Sequence, residues 1–293
     1  MVSGMLEDHD RDHDEGLAHD LPKLLHRRRA LTLLAAGAGA GVVSIAGCSV
    51  LGKDNDNAGT SSASTTASTA ASSSSTSSAS TSTSDDASCA TIPEETGGPY
   101  PGDGSNGVNV LTESGIVRSD IRSSFGDYSG TAAGVPLTVK LTVLDVDNGC
   151  APYEGAAVYL WHCDRDGQYS LYTVQDQNYL RGVQAADAKG VVTYTSIFPA
   201  AYDGRWPHIH FEVYPSVDEA TEAEGKLVTS QLAFPKEVCD VVYATDGYEQ
   251  SVSNLARTSL DSDMVFGDGY SRQLAKVTGS VAGGYTATLT VPV

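Results

Sequence analysis

Hydrophobic residues recur with a period of two along most of the chain after residue 89. Residues 137–143 read Leu-Thr-Val-Lys-Leu-Thr-Val, so every second side chain is apolar. Successive side chains of a strand point to opposite faces, and this alternation predicts a half-buried strand. Residues 208–214 and 285–291 alternate in the same way, whereas residues 156–161 are apolar throughout and predict a central strand. Short strands between Gly- and Asp-rich turns predict an all-β fold, a β-sandwich of two mixed sheets with long loops.

Smaller features complete this prediction. Residues 190–195 indicate another strand, and residues 217–225 indicate a short helix or a loop. No segment of this region repeats. We therefore expect one domain over residues 89–293.

The chain before residue 49 has the pattern of an export signal. Residues 26–29 read His-Arg-Arg-Arg and precede an uncharged run rich in Leu, Ala and Gly, which ends at Cys48. Paired arginines before a weakly hydrophobic run resemble a twin-arginine signal, and the ending resembles a bacterial lipobox. We predict a signal peptide over residues 1–48 and a lipid anchor on Cys48, hence a cell-surface protein outside the cytoplasm, secreted if the anchor is released. An uncleaved transmembrane helix is the alternative, because residues 30–47 approach the minimum length that spans a bilayer.

The next segment predicts a spacer. Residues 59–88 are almost wholly Ser, Thr and Ala and contain no aromatic residue. Such a segment buries too little apolar surface to offset its conformational entropy, so residues 49–88 are predicted to be a disordered linker. The formal net charge of the whole chain is −19. This charge repels phosphates and excludes nucleic acid as an expected partner.

Four cysteines remain after the predicted anchor: Cys89, Cys150, Cys163 and Cys239. An even number in an oxidising compartment predicts two disulfides, with three pairings that the sequence does not separate. A four-cysteine zinc site is the competing interpretation. The four are 61, 13 and 76 residues apart and include no close pair of the kind that zinc sites use.

Three histidines lie in the predicted domain: His162, His208 and His210. Side chains two apart on a strand share a face, so His208 and His210 can reach one metal ion. Alternation leaves the face of His162 undecided, and a structural role is favoured for it.

The sequence around these histidines supplies further candidates for the site. Tyr202 and Arg205 stand in a turn bounded by Pro and Gly immediately before the histidine strand. Tyr169 follows the apolar strand through a turn rich in Asp and Gly. The alternative interpretation of Arg205 is an ion pair with Asp203 or Glu212 at the protein surface.

These segments resemble the intradiol ring-cleavage dioxygenases, the family of catechol 1,2-dioxygenase and protocatechuate 3,4-dioxygenase. Residues 158–170 resemble the family's strand, turn and first tyrosine ligand. Residues 198–211 resemble its second tyrosine, its arginine and its His-x-His pair. Residues 229–234 resemble a following strand whose glutamine lines the active site, and the Gly-Gly-Pro-Tyr of residues 97–100 is a fainter match.

The resemblance implies a non-haem Fe(III) and names its residues. The implied ligands are Tyr169, Tyr202, His208 and His210. Two phenolates with two imidazoles favour Fe(III), because phenolate oxygen is a hard, anionic donor. The implied catalytic residues are Arg205, which stabilises negative charge beside the ring, and Gln231, which orients the substrate.

The family also implies a reaction, namely the cleavage of an aromatic diol by O₂ between its two hydroxylated carbons. Both oxygen atoms of O₂ enter the product. Tyr202 lies only six residues before His208, a spacing that resembles the compact, exported branch of the family, and no helical dimerisation segment is recognisable. The oligomeric state stays open between a monomer and a small homo-oligomer, and the ring itself is not identified.

Two other functions remain open at this stage. One is a non-catalytic surface sandwich that binds aromatics or cell-wall material. The other is a metal-dependent hydrolase or cupin-type oxygenase that uses His208 and His210 with Glu212, which continues the same strand face.

Overall fold

The computed structural model of the protein describes residues 89–293. The predicted signal peptide over residues 1–48 and the predicted linker over residues 49–88 lie outside this range. Within it, no helix combines the length and apolar character needed to cross a bilayer.

The first sheet is built around its longest strand, β1 (Pro136–Asp145). One edge of β1 pairs in parallel with β9 (Gly284–Pro292), which pairs with β8 (Lys276–Ser280). The other edge of β1 pairs antiparallel with β5 (Val191–Ile197) and, at its end, with β2 (Ala151–Pro152). This sheet is therefore mixed, as expected.

The second sheet has the order β4 (Arg181–Ala185), β3 (Ala157–Trp161), β6 (His208–Tyr214) and β7 (Val228–Ala233). All three of its strand pairings are antiparallel. The predicted all-β sandwich is confirmed, but only the first sheet is mixed, because the strands of the second sheet pair antiparallel and its parallel contacts are single bridges to loop residues.

Short helices lie in the long loops. Among residues 89–293 the α-helices are α1 (Lys236–Tyr243) and α2 (Glu249–Leu255), and single 3₁₀ turns cover Val217–Glu219, Leu260–Ser262 and Phe266–Asp268. The segment predicted as a short helix or loop thus begins with a 3₁₀ turn.

The two faces of the second sheet are buried by different parts of the chain. Val158 and Leu160 of β3 pack into the core between the sheets, whereas Tyr159 and Trp161 belong to a separate cluster on the outer face. Loops cover that outer face, so all seven residues of β6 are buried although their polarity alternates. The polar face of β6 therefore lies beneath loops rather than in solvent, and this is where the histidines are.

The cysteine prediction is wrong in part. Cys89 and Cys150 form a disulfide, whereas Cys163 and Cys239 are free and buried. Both free thiols pack as small apolar groups in the protein interior, a common use of unpaired cysteine. The disulfide also removes the ligands that a four-cysteine zinc site would need.

Candidate metal centre and active site

Strand register brings the histidine pair next to residues from two other strands. His210 of β6 lies opposite Trp161 of β3 on one side and opposite Gln231 of β7 on the other. His208 and His210 are each 2% exposed. The period-two prediction that both histidines share a face is confirmed by this arrangement.

A backbone carbonyl sets the protonation of His208. Its Nδ1 lies 2.5 Å from the carbonyl oxygen of Trp206. A carbonyl only accepts, so Nδ1 carries the proton and Nε2 keeps its lone pair. Burial and then the charge of Arg205 hold the pKa of His208 well below its usual range, and burial and then His208 do the same for the pKa of His210. Both rings are therefore neutral, as metal ligands must be.

Three possible metal-donor atoms converge at this point, one from each histidine and one from Tyr202. The Nε2 atoms of His208 and His210 are 3.1 Å apart, and Tyr202 Oη lies 3.2 Å from Nε2 of His208. Two donors about 2.1 Å from one ion, at an angle near 90°, are separated by roughly 3 Å. The observed spacing therefore fits ligands of a single metal ion.

Tyr169 adds a fourth oxygen. Its side chain is 3% exposed, and its buried Oη has no hydrogen-bond partner. The Tyr169 ring lies 6.0 Å from the Tyr202 ring and 6.4 Å from the His210 ring. Burial and then Tyr202 raise the pKa of Tyr169 well above its usual value. A buried hydroxyl without a partner is unfavourable, and a cation beside it would satisfy the oxygen and reverse the pKa shift.

A tight turn allows the two tyrosines to approach. The Asp164 carboxylate accepts hydrogen bonds from the backbone N–H groups of Asp166 and Gln168 at 2.9 Å each. Gly167 has a φ of +80°, and a Cβ there would lie 3.2 Å from Cβ of Tyr202. The glycine thus permits both the turn and the contact between the tyrosine-bearing loops.

Arg205 is held by a partner that the sequence did not indicate. Its Nε donates to Oδ2 of Asp263 at 3.0 Å, and its Nη2 donates to Oε1 of Gln231 at 2.7 Å. Asp203, one of the two partners considered from sequence, pairs with Arg257 at the surface instead. Burial lowers the pKa of Arg205, but Tyr202 and Asp263 outweigh burial, and the net shift is upward. Arg205 therefore keeps its positive charge inside the protein.

Glu212, the other partner considered for Arg205, forms its ion pair and hydrogen bonds with other residues. Its carboxylate is paired with Lys226 and accepts hydrogen bonds from Tyr214 at 2.8 Å and Thr229 at 3.2 Å. No cluster of three or more His, Cys, Asp or Glu side chains within residues 89–293 is placed to hold a metal ion. The hypothesis that Glu212 completes a site with two histidines has no support from this arrangement, and tyrosine hydroxyl oxygens lie beside the histidines instead.

His162 lies outside this set. Its Nε2 is 2.7 Å from Oγ of Ser196, its Nδ1 is 2.7 Å from the carbonyl of Cys163, and burial lowers its pKa to about 4. Both ring nitrogens are thus engaged, which fits the structural role favoured for this residue.

The Gly-Gly-Pro-Tyr segment covers the site. Gly98 has a φ of +70°, and a Cβ there would lie 3.4 Å from Cε1 of His210. The Tyr100 ring lies 5.1 Å from the Tyr169 ring. Buried Arg181 fixes this loop by donating to the carbonyls of Tyr100 and Pro101 at 2.9 and 2.8 Å. The fainter sequence match therefore lies beside the stronger ones in space.

Comparisons with known proteins agree with this description. A family model described as Dioxygenase matches residues 118–267, which are 150 of the 293 residues. The intradiol ring-cleavage dioxygenase from Tetranychus urticae is similar over 70% of this chain and 96% of its own, with 27% identity and a TM-score of 0.53. The dioxygenase Tetur07g02040 matches over the same shares, with 26% identity and a TM-score of 0.54. The fold, the order of its segments and the family match show that this chain is an enzyme and belongs to the intradiol ring-cleavage dioxygenases.

Proposed function

We propose that the protein uses a non-haem Fe(III) to cleave a catechol-type ring between its two hydroxylated carbons. The proposed ligands are Tyr169, Tyr202, His208 and His210. The observation that carries the proposal is the convergence of three donor atoms at 3.1–3.2 Å beside a buried tyrosine hydroxyl that has no partner.

The donor set matches the charge of the metal. Two phenolates neutralise most of a trivalent charge, and two neutral imidazoles complete a set that prefers Fe(III). When bound, the iron would supply a Lewis acid that favours the deprotonated diol, whose electron-rich ring reacts with O₂. In the overall reaction the carbon–carbon bond between the hydroxylated carbons breaks, and both atoms of O₂ enter the product, a dicarboxylic acid.

Tyr202 is the residue best placed to receive a proton from the diol. Tyr202 is half-buried and stands on a turn, whereas Tyr169 is 3% exposed and lies among other aromatic rings. A diol that binds through both oxygens would give up two protons, one to a tyrosine oxygen and the other to a hydroxide that leaves as water. The Tyr202 phenolate oxygen can accept one of them and move aside with less disruption of packing than Tyr169.

Arg205 stabilises negative charge that develops on the ring. Its guanidinium is held by Asp263 and Gln231 in a buried environment, where charge–charge interactions are stronger than in water. Gln231 accepts from Arg205 and donates to the carbonyl of Thr96 at 2.9 Å. It therefore fixes Arg205 relative to the loop that covers the site.

Iron loading followed by oxygen uptake tests the proposal. We expect the loaded protein to absorb visible light through phenolate-to-Fe(III) charge transfer and to consume one O₂ per diol from a panel of catechols. His208→Ala should lose the iron, the absorption band and the activity. Tyr202→Phe should lose activity and shift and weaken the band, since only the Tyr169 phenolate remains, whereas Tyr285→Phe, a buried tyrosine of the first sheet, should keep both. A colourless protein that takes up no iron would refute the proposal.

We also propose that the enzyme works outside the cytoplasm, on a lipid anchor at Cys48. The disulfide between Cys89 and Cys150 supports this location, since such bonds persist in oxidising compartments. Cell fractionation of the wild type and Cys48→Ser tests it. The wild type should pellet with membranes and the variant should not, and recovery of the wild type in the cytosol would contradict the proposal.

A further inference from the structure

The two candidate histidine ligands are held in different ways. His208 donates from Nδ1 to a backbone carbonyl, the usual means of orienting a metal-binding imidazole. Nδ1 of His210 is buried and has no hydrogen-bond partner. The Thr96 backbone lies close enough to raise the pKa of His210, but this contact does not meet hydrogen-bond geometry, and the Thr96 carbonyl accepts from Gln231 Nε2 at 2.9 Å. His210 therefore lacks the hydrogen bond that would fix its ring.

An aromatic ring takes the place of that hydrogen bond. The indole of Trp161 lies parallel to the His210 imidazole, with an interplanar angle of 6° and ring centroids 4.9 Å apart. The two residues are direct cross-strand neighbours in β3 and β6. Trp161 is 0% exposed, and its Nε1 has no hydrogen-bond partner although buried indole N–H groups usually find one. The indole thus contributes its face to the site and no hydrogen bond.

The indole is itself fixed from behind. Tyr159, two residues earlier on the same face of β3, stacks on Trp161 at 4.9 Å and 21°. The Tyr159 hydroxyl donates to the carbonyl of Pro101 at 2.7 Å and accepts from Arg181 at 2.9 Å. Two stacked rings, Tyr159 and Trp161, therefore connect a hydrogen-bonded anchor to His210, while Gly98 lies against the edge of the imidazole.

We propose that Trp161 is a positioning residue for His210, and that its stacked face sets the ring plane that a hydrogen bond sets for His208. Rotation of the imidazole would break the parallel contact and turn Nε2 away from the other donors. This inference rests on the proposed iron site, since it assigns a residue that orients one of the proposed ligands.

Two substitutions at Trp161 and one control test the inference. Trp161→Leu removes the aromatic face, and Trp161→Phe keeps a smaller one. Phe211→Leu is the matched control, because Phe211 neighbours His210 on β6, is 0% exposed and packs into the core between the sheets. Each variant is compared with the wild type by iron affinity in competition with a chelator, by the position of the charge-transfer band, and by the ¹⁵N spectrum of the His210 ring in the metal-free protein.

We expect Trp161→Leu to weaken iron binding about 10- to 100-fold, the range seen when residues that orient a metal ligand are lost. The band should shift, and the His210 ring signals should move or broaden in the metal-free protein. Trp161→Phe should lose about threefold, since part of the face remains. Phe211→Leu should unfold more easily but keep the wild-type affinity and spectrum per folded molecule.

Wild-type affinity and spectra in Trp161→Leu would overturn the inference, as would an equal loss of affinity in Phe211→Leu. If Trp161→Leu does not fold, Trp161→Phe decides by its band and its His210 signals, and wild-type values for both would overturn the inference. A wild-type protein that binds no iron would instead refute the proposed function, so the two failures are distinguishable.

Discussion

The buried pair of Arg205 and Asp263 gives a prediction whose magnitude follows from the structure. Their side chains are 4% and 0% exposed. Asp263 also accepts from the backbone N–H groups of Trp206 at 2.7 Å, Val265 at 2.8 Å and Phe266 at 3.2 Å. Asp263→Ala leaves a buried guanidinium without its counter-charge and three donors without their acceptor. Breaking a buried pair from one side costs about 3–5 kcal/mol of the free energy of unfolding.

A surface pair of the same residue types provides the control. Arg257 and Asp203 are 2.7 Å apart, but their side chains are 55% and 78% exposed. Exposed pairs contribute at most about 1 kcal/mol, so Asp203→Ala should change stability by no more than that. Urea unfolding of both variants, with the slope m checked against the wild type, measures the difference. Oxygen uptake should fall in Asp263→Ala only, because Arg205 loses its orientation.

A loss below about 1 kcal/mol in Asp263→Ala, or a loss equal to that of Asp203→Ala, would refute the reasoning. Asp263→Asn refines the test. It keeps the size of the side chain and one acceptor but removes the charge, and should cost about 1.5–3 kcal/mol, as for one hydrogen bond to a charged group.

Three further predictions concern other parts of the domain. Cys150→Ser removes a disulfide whose ends are 61 residues apart and should lower the free energy of unfolding by about 4 kcal/mol. A reducing agent should destabilise the wild type by a similar amount and have no further effect on the variant. A change under about 1 kcal/mol in urea unfolding would contradict this prediction. Gly98→Ala and Gly107→Ala both place a residue with a Cβ at a positive φ, but only the Cβ at residue 98 would contact another side chain, the His210 imidazole. Both variants should lose about 1–2 kcal/mol of stability, and only Gly98→Ala should also weaken iron binding. Equal iron affinities in the two variants would count against the contact between residue 98 and His210. Burial and then Asp268 raise the pKa of Glu95 to about 7, so the folded protein binds this proton more tightly than the unfolded chain and loses stability as the pH rises from about 4.5 to 7. After allowance for partial exposure, the stability of Glu95→Gln relative to the wild type should increase by about 1–2 kcal/mol between pH 4.5 and pH 8. A stability difference that does not vary with pH would exclude this linkage.

The parts of the fold that the sequence predicted are those with a strong local pattern. Strands β1, β6 and β9 alternate in polarity, and each was expected within a few residues of its observed bounds. Strand β4 has no such pattern, since it begins with Arg181, a charged residue whose burial depends on partners from the loop at residues 100–101. Helices α1 and α2, at eight and seven residues, are too short for a helical period to stand out.

The candidate site divides in the same way. Tyr169, Tyr202 and the histidine pair stand in local segments that resemble known ones, and the structure brings them together. Asp263 lies 58 residues from Arg205 along the chain, and its segment has no pattern that connects the two. The contact depends on how the loops after β7 fold back over the second sheet. Local sequence contains no information about which acid reaches a given base, and the cysteine pairing was undecided for the same reason.

The disulfide has a mechanical consequence for a protein held at one end. A pull on the chain ahead of Cys89 passes through the sulfur–sulfur bond to Cys150, and so to the turn between β1 and β2. Strand β1 is paired along both edges, so the load is shared by the whole first sheet. The stretch from residue 90 to residue 100, which leads to the loop over His210, follows the bond along the chain, so the disulfide offers a pull a second path that bypasses it. For a protein held by the proposed anchor at Cys48, a force on the anchored end therefore reaches the first sheet before it reaches the loop above the candidate iron site.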